Sequence, residues 1–147
     1  QMKKHNLVLV PGLMCDHSAW DPMLEGLRLV ACCQIIDHGQ ARSLVVMAQQ
    51  LLALAPPRFA LAGHSMGGHG ALTLAMRHPG RYASLSAFAP IANPTASDWG
   101  RKQLTAYLGA DEAGWAAHDA SLLMAERGYD GAVLIDQGSA DARGQDQ

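Results

Sequence analysis

LAGHSMGGHGALTLAMRHPGRY, residues 61–82, joins a short apolar run to an alanine- and leucine-rich helical pattern through a turn crowded with glycine. Inside it, Gly63-His64-Ser65-Met66-Gly67 matches G-x-S-x-G. Phe59–Ala62, just before, reads as a buried strand, and Gly67–His78, just after, as a helix stopped by Pro79-Gly80. The motif has meaning only between a strand and a helix, and that is where it sits. The serine must occupy a strained backbone at a sharp turn, and glycines two before and two after remove side chains that would collide across it. The hydroxyl then stands above the sheet at the positive end of the helix, with the Met66 N–H aimed at the same spot. The plain alternative is a glycine-rich turn of another α/β protein. A phosphate loop is excluded because no G-K-[ST] follows.

Along the rest of the chain, short apolar runs alternate with helical patterns. Leu7–Val10 and Cys32–Ile36 read as strands, the first ending at Pro11-Gly12 and the second at Asp37-His38-Gly39. Trp20–Leu29 reads as a helix with Pro22 in its first turn, and Leu44–Ala55 as a helix capped by Ser43 and ended by Pro56-Pro57. The face Leu44, Met47, Ala48, Leu51, Leu52, Ala55 is expected to pack in the core. Leu85–Ala89 and Ala132–Asp136 are two more strands. Between them, Trp99–Arg127 is expected to form two or three helical pieces broken at Gly109 and Gly114. The alternation predicts an α/β fold: a mostly parallel sheet of about five strands with helices on both faces.

The 147 residues fit a single domain. A net charge of −2 with 5% aromatics supplies neither a basic surface nor stacking platforms, so nucleic acid is not expected as a partner. No run is long and apolar enough for a membrane span or a signal peptide, so no membrane association is expected. The three cysteines, Cys15, Cys32 and Cys33, form no even framework, which suits a reducing, cytoplasmic setting. No metal-ligand spacing appears, and no cofactor is expected.

A second oxyanion donor should come from the loop after the first strand, Pro11-Gly12-Leu13-Met14-Cys15. Gly12 permits close approach, and the Leu13 N–H is the candidate.

These residues resemble known families in two pieces. GHSMGGHGALTLAMRHPGRYASLSAFAPIANP, WGRKQLTAYLG and VLIDQGSAD, within about residues 59–141, resemble S-formylglutathione hydrolase. Residues 6–68, roughly, from LVLVPGLMCDHSAW through GHSMGG, look more like a general branch of α/β-hydrolase esterases, so the chain reads as truncated or chimaeric. The resemblance implies a partial α/β-hydrolase fold over residues 1–147, with a Ser-Asp-His triad in that chain order. Ser65 matches the nucleophile and Asp141 the acid.

The family's histidine would follow Asp141, and none of the seven histidines does. His69, four residues after Ser65, and His118, beside Asp119, are the candidate substitute bases. His64 is expected to point away from Ser65, and His38 ends its strand at the same sheet edge. Loss of the base in a comparable serine hydrolase costs roughly 10⁶ in turnover, leaving about 10³–10⁴ over water.

The function implied is that of a serine esterase or thioesterase of the S-formylglutathione hydrolase type. It would cleave S-formylglutathione or small acyl esters through an acyl-serine intermediate. The alternatives are a weak or inactive hydrolase-derived fragment lacking the triad histidine, and a general carboxylesterase. The strands near Ile35 and Ile135 are expected to be sheet edges, whose apolar character invites self-association.

Overall fold

The computed structural model describes residues 4–12, 15–37, 39 and 44–138. Five parallel strands form one sheet: β1 (His5–Val10), β2 (Ala31–Ile35), β3 (Phe59–His64), β4 (Tyr82–Phe88) and β5 (Ala132–Asp136), in the order β2-β1-β3-β4-β5. Among the described residues five α-helices lie between them: α1 (Asp21–Val30), α2 (Leu44–Leu54), α3 (Met66–Arg77), α4 (Asp98–Leu108) and α5 (Ala120–Arg127). The α/β architecture is the one the alternation of the sequence predicts.

The strand order contains one reversal. The chain steps outward from β1 to β2, returns past β1 to β3, and then proceeds the other way through β4 to β5. In parallel sheets the crevice at such a reversal, beyond the carboxyl ends of the strands, is where ligands bind. The register places Val10 beside Gly63, His64 beside Phe88, and Phe88 beside Asp136, so four strand ends meet at one edge.

Side-chain alternation along the strands divides the core between the two faces. On one face Val8, Leu61, Leu85 and Ala87 pack with Leu72, Ala75 and Met76 of α3 and Leu123 of α5. On the other, Leu9 and Ala62 pack with Trp20 and Leu24. Trp20 meets Phe88 edge-on with ring centroids 6.2 Å apart.

Local chemistry sets most boundaries. Asp16 accepts from the Ser18 N–H at 2.9 Å and starts the 3₁₀ turn His17–Trp20 that leads into α1, where Pro22 sits in the first turn. Ser97 caps α4 through the Gly100 N–H at 3.1 Å, and Gly109, at φ 89°, ends it. The expected break at Gly114 is not there: this residue lies inside the 3₁₀ segment Glu112–His118. The break comes at Asp119, which has no solvent exposure. Its carboxylate accepts from the Leu122 N–H at 3.1 Å to begin α5, and from Thr95 N–H and Oγ1 at 3.0 and 2.7 Å. A buried carboxylate holding three donors outweighs the modest helix-breaking tendency of one glycine.

Among the described residues β2 and β5 are the sheet edges, the position expected for the strands near Ile35 and Ile135. All of β5 is exposed, with Leu134 53% and Ile135 52% accessible. On the predicted inner face of α2 only Leu51 is fully buried; Met47, Ala48, Leu52 and Ala55 are half-buried, and the Leu44 side chain lies outside the described residues.

Candidate active site

The turn between β3 and α3 is a single residue, Ser65, at φ 55° and ψ −121°. A non-glycine residue there is strained by about 1–3 kcal/mol, and the surroundings must hold it. They do so through hydrogen bonds and closeness. The Ser65 N–H donates to the Phe88 carbonyl at 2.9 Å, and the Ser65 carbonyl accepts from the His69 N–H at 3.0 Å.

The glycines explain the closeness. A Cβ on Gly63 would lie 2.0 Å from the Gly67 carbonyl oxygen, and one on Gly67 would lie 2.4 Å from the Pro11 oxygen. A Cβ on Gly12 would lie 3.3 Å from that of Ser65. The loop after β1, tightened by the Cys15 N–H bonding the Gly12 carbonyl at 3.1 Å, therefore passes directly against the serine. Gly68 packs on Pro90 and lies just outside the motif; the doubling of glycine at this point is its signal in the sequence.

Ser65 is half-buried, and Met66 opens α3, where its N–H has no intrahelical partner. Leu13 and Asp141 lie outside the described residues, as does His38. Their neighbours are placed: Gly12 is against Ser65, and β5 ends at Asp136, whose carbonyl accepts from the Ala89 N–H at 2.7 Å. Ala89 is itself at φ 44°, a second strained residue on this rim that the sequence pattern does not reveal.

Neither substitute base is arranged as expected. His69 is 1% exposed, and its Nε2 lies 2.6 Å from the His118 carbonyl oxygen. Its Nδ1 is buried without a hydrogen-bond partner among the described residues. Burial pushes its pKa down to about 4, outweighing the hydrogen bond to His118. Spacing four apart brings side chains together only within a helix; Ser65, at positive φ, precedes α3 and is off its face. The His118 ring turns to the other end of α3, with Nδ1 3.2 Å from Arg77 Nη1. Burial, then the Arg77 charge, lowers its pKa. Arg77 is eleven positions past Met66, the first residue of α3, about 16 Å along the helix axis. His64 is exposed, with Nδ1 3.2 Å from where a Gly12 Cβ would stand. Among the described residues no three His, Cys, Asp or Glu side chains gather as a metal site, and no helix is long and apolar enough to cross a membrane.

Residues 41–147 match the model of the Esterase family. The chain belongs to the Esterase family. Its relatives place it in the α/β-hydrolase superfamily and make it similar to S-formylglutathione hydrolases. That of Paracoccus denitrificans is 67% identical over 81 residues, which are 55% of this chain and 29% of that protein. That of mouse is 52% identical over 89 residues, 58% of this chain and 31% of that one. The chain thus spans under a third of the length of the curated relatives it matches. A solved S-formylglutathione hydrolase from Agrobacterium tumefaciens superposes with a TM-score of 0.72 at 27% identity, covering 96% of this chain and 67% of that one. The fluorophosphonate-binding serine hydrolase F of Staphylococcus aureus shares the fold, with a TM-score of 0.67 at 20% identity over 99% of this chain and 69% of that one.

Two predictions come from the turn. Ser65→Gly relieves the positive-φ strain, so its unfolding free energy in urea should exceed that of Ser65→Ala by about 1 kcal/mol. His69 supplies the second. Its folded pKa of about 4 lies below the ordinary 6.5, so between those values the unfolded chain binds the extra proton. Stability is therefore full above pH 6.5 and is lost as the pH falls toward 4. His69→Gln keeps a donor for the His118 carbonyl and cannot titrate. Urea melts at pH 7 and pH 4 should show a pH-dependent loss smaller by about 3 kcal/mol in that variant.

Proposed function

We propose that this esterase acts by acyl transfer as a serine thioesterase and esterase of the S-formylglutathione hydrolase type, with Ser65 as its nucleophile. The observation that carries the reading is the positive φ of Ser65 at the junction of β3 and α3, with the loop after β1 pressed against it. The high identity to S-formylglutathione hydrolases over this segment supports the substrate class.

In the proposed reaction the Ser65 hydroxyl adds to the thioester carbonyl. The N–H groups of Leu13 and Met66 hold the oxyanion, and the C–S bond breaks to leave formyl-Ser65. The serine proton ends on the departing glutathione thiolate. Water then adds to the ester, releasing formate and restoring the hydroxyl. Asp141 takes the role of the acid that orients an imidazole. The contact of His69 Nε2 with the His118 carbonyl, and of the His118 ring with Arg77, supports assigning that imidazole to neither. Without a base, about 10³–10⁴ over the water rate is what oxyanion stabilisation and binding sustain.

The setting is a single α/β-hydrolase domain in a reducing, cytoplasmic compartment, a placement supported by three free cysteines. A small thioester or ester is the ligand, and the exposed β5 edge supports self-association. A general carboxylesterase reading is separated by comparing S-formylglutathione with p-nitrophenyl acetate: the thioesterase prefers the former.

Two outcomes are expected. A fluorophosphonate probe labels the chain, and Ser65→Ala abolishes labelling; label that persists in Ser65→Ala, or none in the parent, overturns the nucleophile and favours an inert hydrolase-derived fragment. In sedimentation velocity at tens of micromolar, the parent chain should show species larger than monomer, and Ile135→Lys on the β5 edge should shift them to monomer.

A further inference from the structure

The flank of α3 turned toward α2 borders a cavity of about 270 Å³. Ser65 is not on its wall. One end is formed by Met66 and Gly67 with Val10 and Ile36, where the strands finish. The other end carries Arg77, His78 and His118. The α3 wall from Gly67 to Arg77 is therefore about 15 Å long, taking 1.5 Å per residue. Aliphatic side chains line the middle, Leu51 and Leu52 from α2 against Ala71 and Leu74 from α3.

The cavity exists because α2 approaches α3 without interlocking with it. Among the described residues of its inner face only Leu51 is fully buried, while Met47 and Ala48 remain half-buried at the gap. Protein interiors pack closely, so an elongated apolar gap of this size inside a helical layer has the form of a ligand site.

Charge along it is one-sided. The ion pairs among the described residues are Arg101–Glu112 and Arg127–Glu126, so Arg77 has no carboxylate partner among them. Its guanidinium stands 3.2 Å from His118 Nδ1. The carboxylate on the cavity wall, Asp37, follows β2 at the Met66 end, away from Arg77. An anionic head is attracted at one end and repelled at the other, with an apolar body between.

We propose that this cavity binds a medium-chain aliphatic monocarboxylate, its alkyl chain between α2 and α3 and its carboxylate at Arg77 and His118. The alkyl chain supplies affinity by leaving water, and the guanidinium fixes direction through a charge-assisted hydrogen bond. The site is separate from the acyl-transfer chemistry proposed for Ser65, although Met66 belongs to both borders.

The test uses Ser65→Ala, so that no hydrolytic step enters the readout. Saturation-transfer NMR titrations with octanoate and octan-1-ol are made on this chain and on the same chain carrying Arg77→Gln or Ala48→Trp. Circular dichroism confirms that each folds. Octanoate should bind saturably. Arg77→Gln, at an exposed position, should weaken octanoate about fivefold and leave octan-1-ol unchanged. Ala48→Trp should remove both ligands by filling the gap. Absence of saturable octanoate binding in Ser65→Ala overturns the proposal, as does octanoate affinity unchanged by Arg77→Gln. Octanoate binding that survives in a folded Ala48→Trp chain places the ligand elsewhere and overturns it too. None of these outcomes depends on whether Ser65 reacts with the fluorophosphonate probe.

Discussion

One backbone torsion organises this molecule. Ser65 can stand at φ 55° only because the Gly63 and Gly67 backbones approach where any Cβ would collide, and because the Phe88 carbonyl accepts its N–H. That bend carries the chain from the centre of the sheet into its most buried helix in one residue. It fixes where α3 begins, so it also sets how Leu72, Ala75 and Met76 fall on Leu61 and Leu85. Strain of about 1–3 kcal/mol is a small part of what burying that face contributes, so the core can hold the turn in place.

The same constraint explains which parts of the structure were legible in the sequence. The strand-turn-helix unit is local: its glycines, its apolar run and its helix stop all lie within about twenty residues, and each acts on the backbone nearby. β5 was equally plain, a β-branched run between turns. What failed depended on groups distant in sequence. Gly114 has the look of a helix breaker, yet the division falls at Asp119 because Thr95, twenty-four positions earlier, brings two donors to its carboxylate. The inner face of α2 has the right period for a core helix, but period says nothing of how tightly the opposite wall fits.

Histidine placement shows the same limit at the site. His69 follows Ser65 by four, which is face-sharing spacing in an uninterrupted helix. The positive φ that makes the serine prominent also takes it off that helix, and the following turn carries His69 inward beneath His118. A single torsion thus exposes one residue and buries the other. The buried ring is kept neutral by the loss of water around it, which suits a group that bridges α3 to the segment before α5.

The two halves of acyl transfer are consequently unequal in how much of the fold they need. The proposed oxyanion pair needs only the loop after β1 and the first turn of α3 to converge, and the strand-order reversal sets Gly12 beside Ser65. A proton acceptor requires a ring in reach of the hydroxyl and a carboxylate behind it, and neither His69 nor His118 turns its ring that way. By general magnitudes, one oxyanion donor contributes about 3 kcal/mol and the base roughly 8. In the proposed reaction the central strands and their loops supply the turn at Ser65, while most of the rate belongs to a base that neither His69 nor His118 is oriented to be. Orientation of the backbone at Ser65 and transfer of its proton are thus separate requirements of the proposed reaction, and the turn meets only the first.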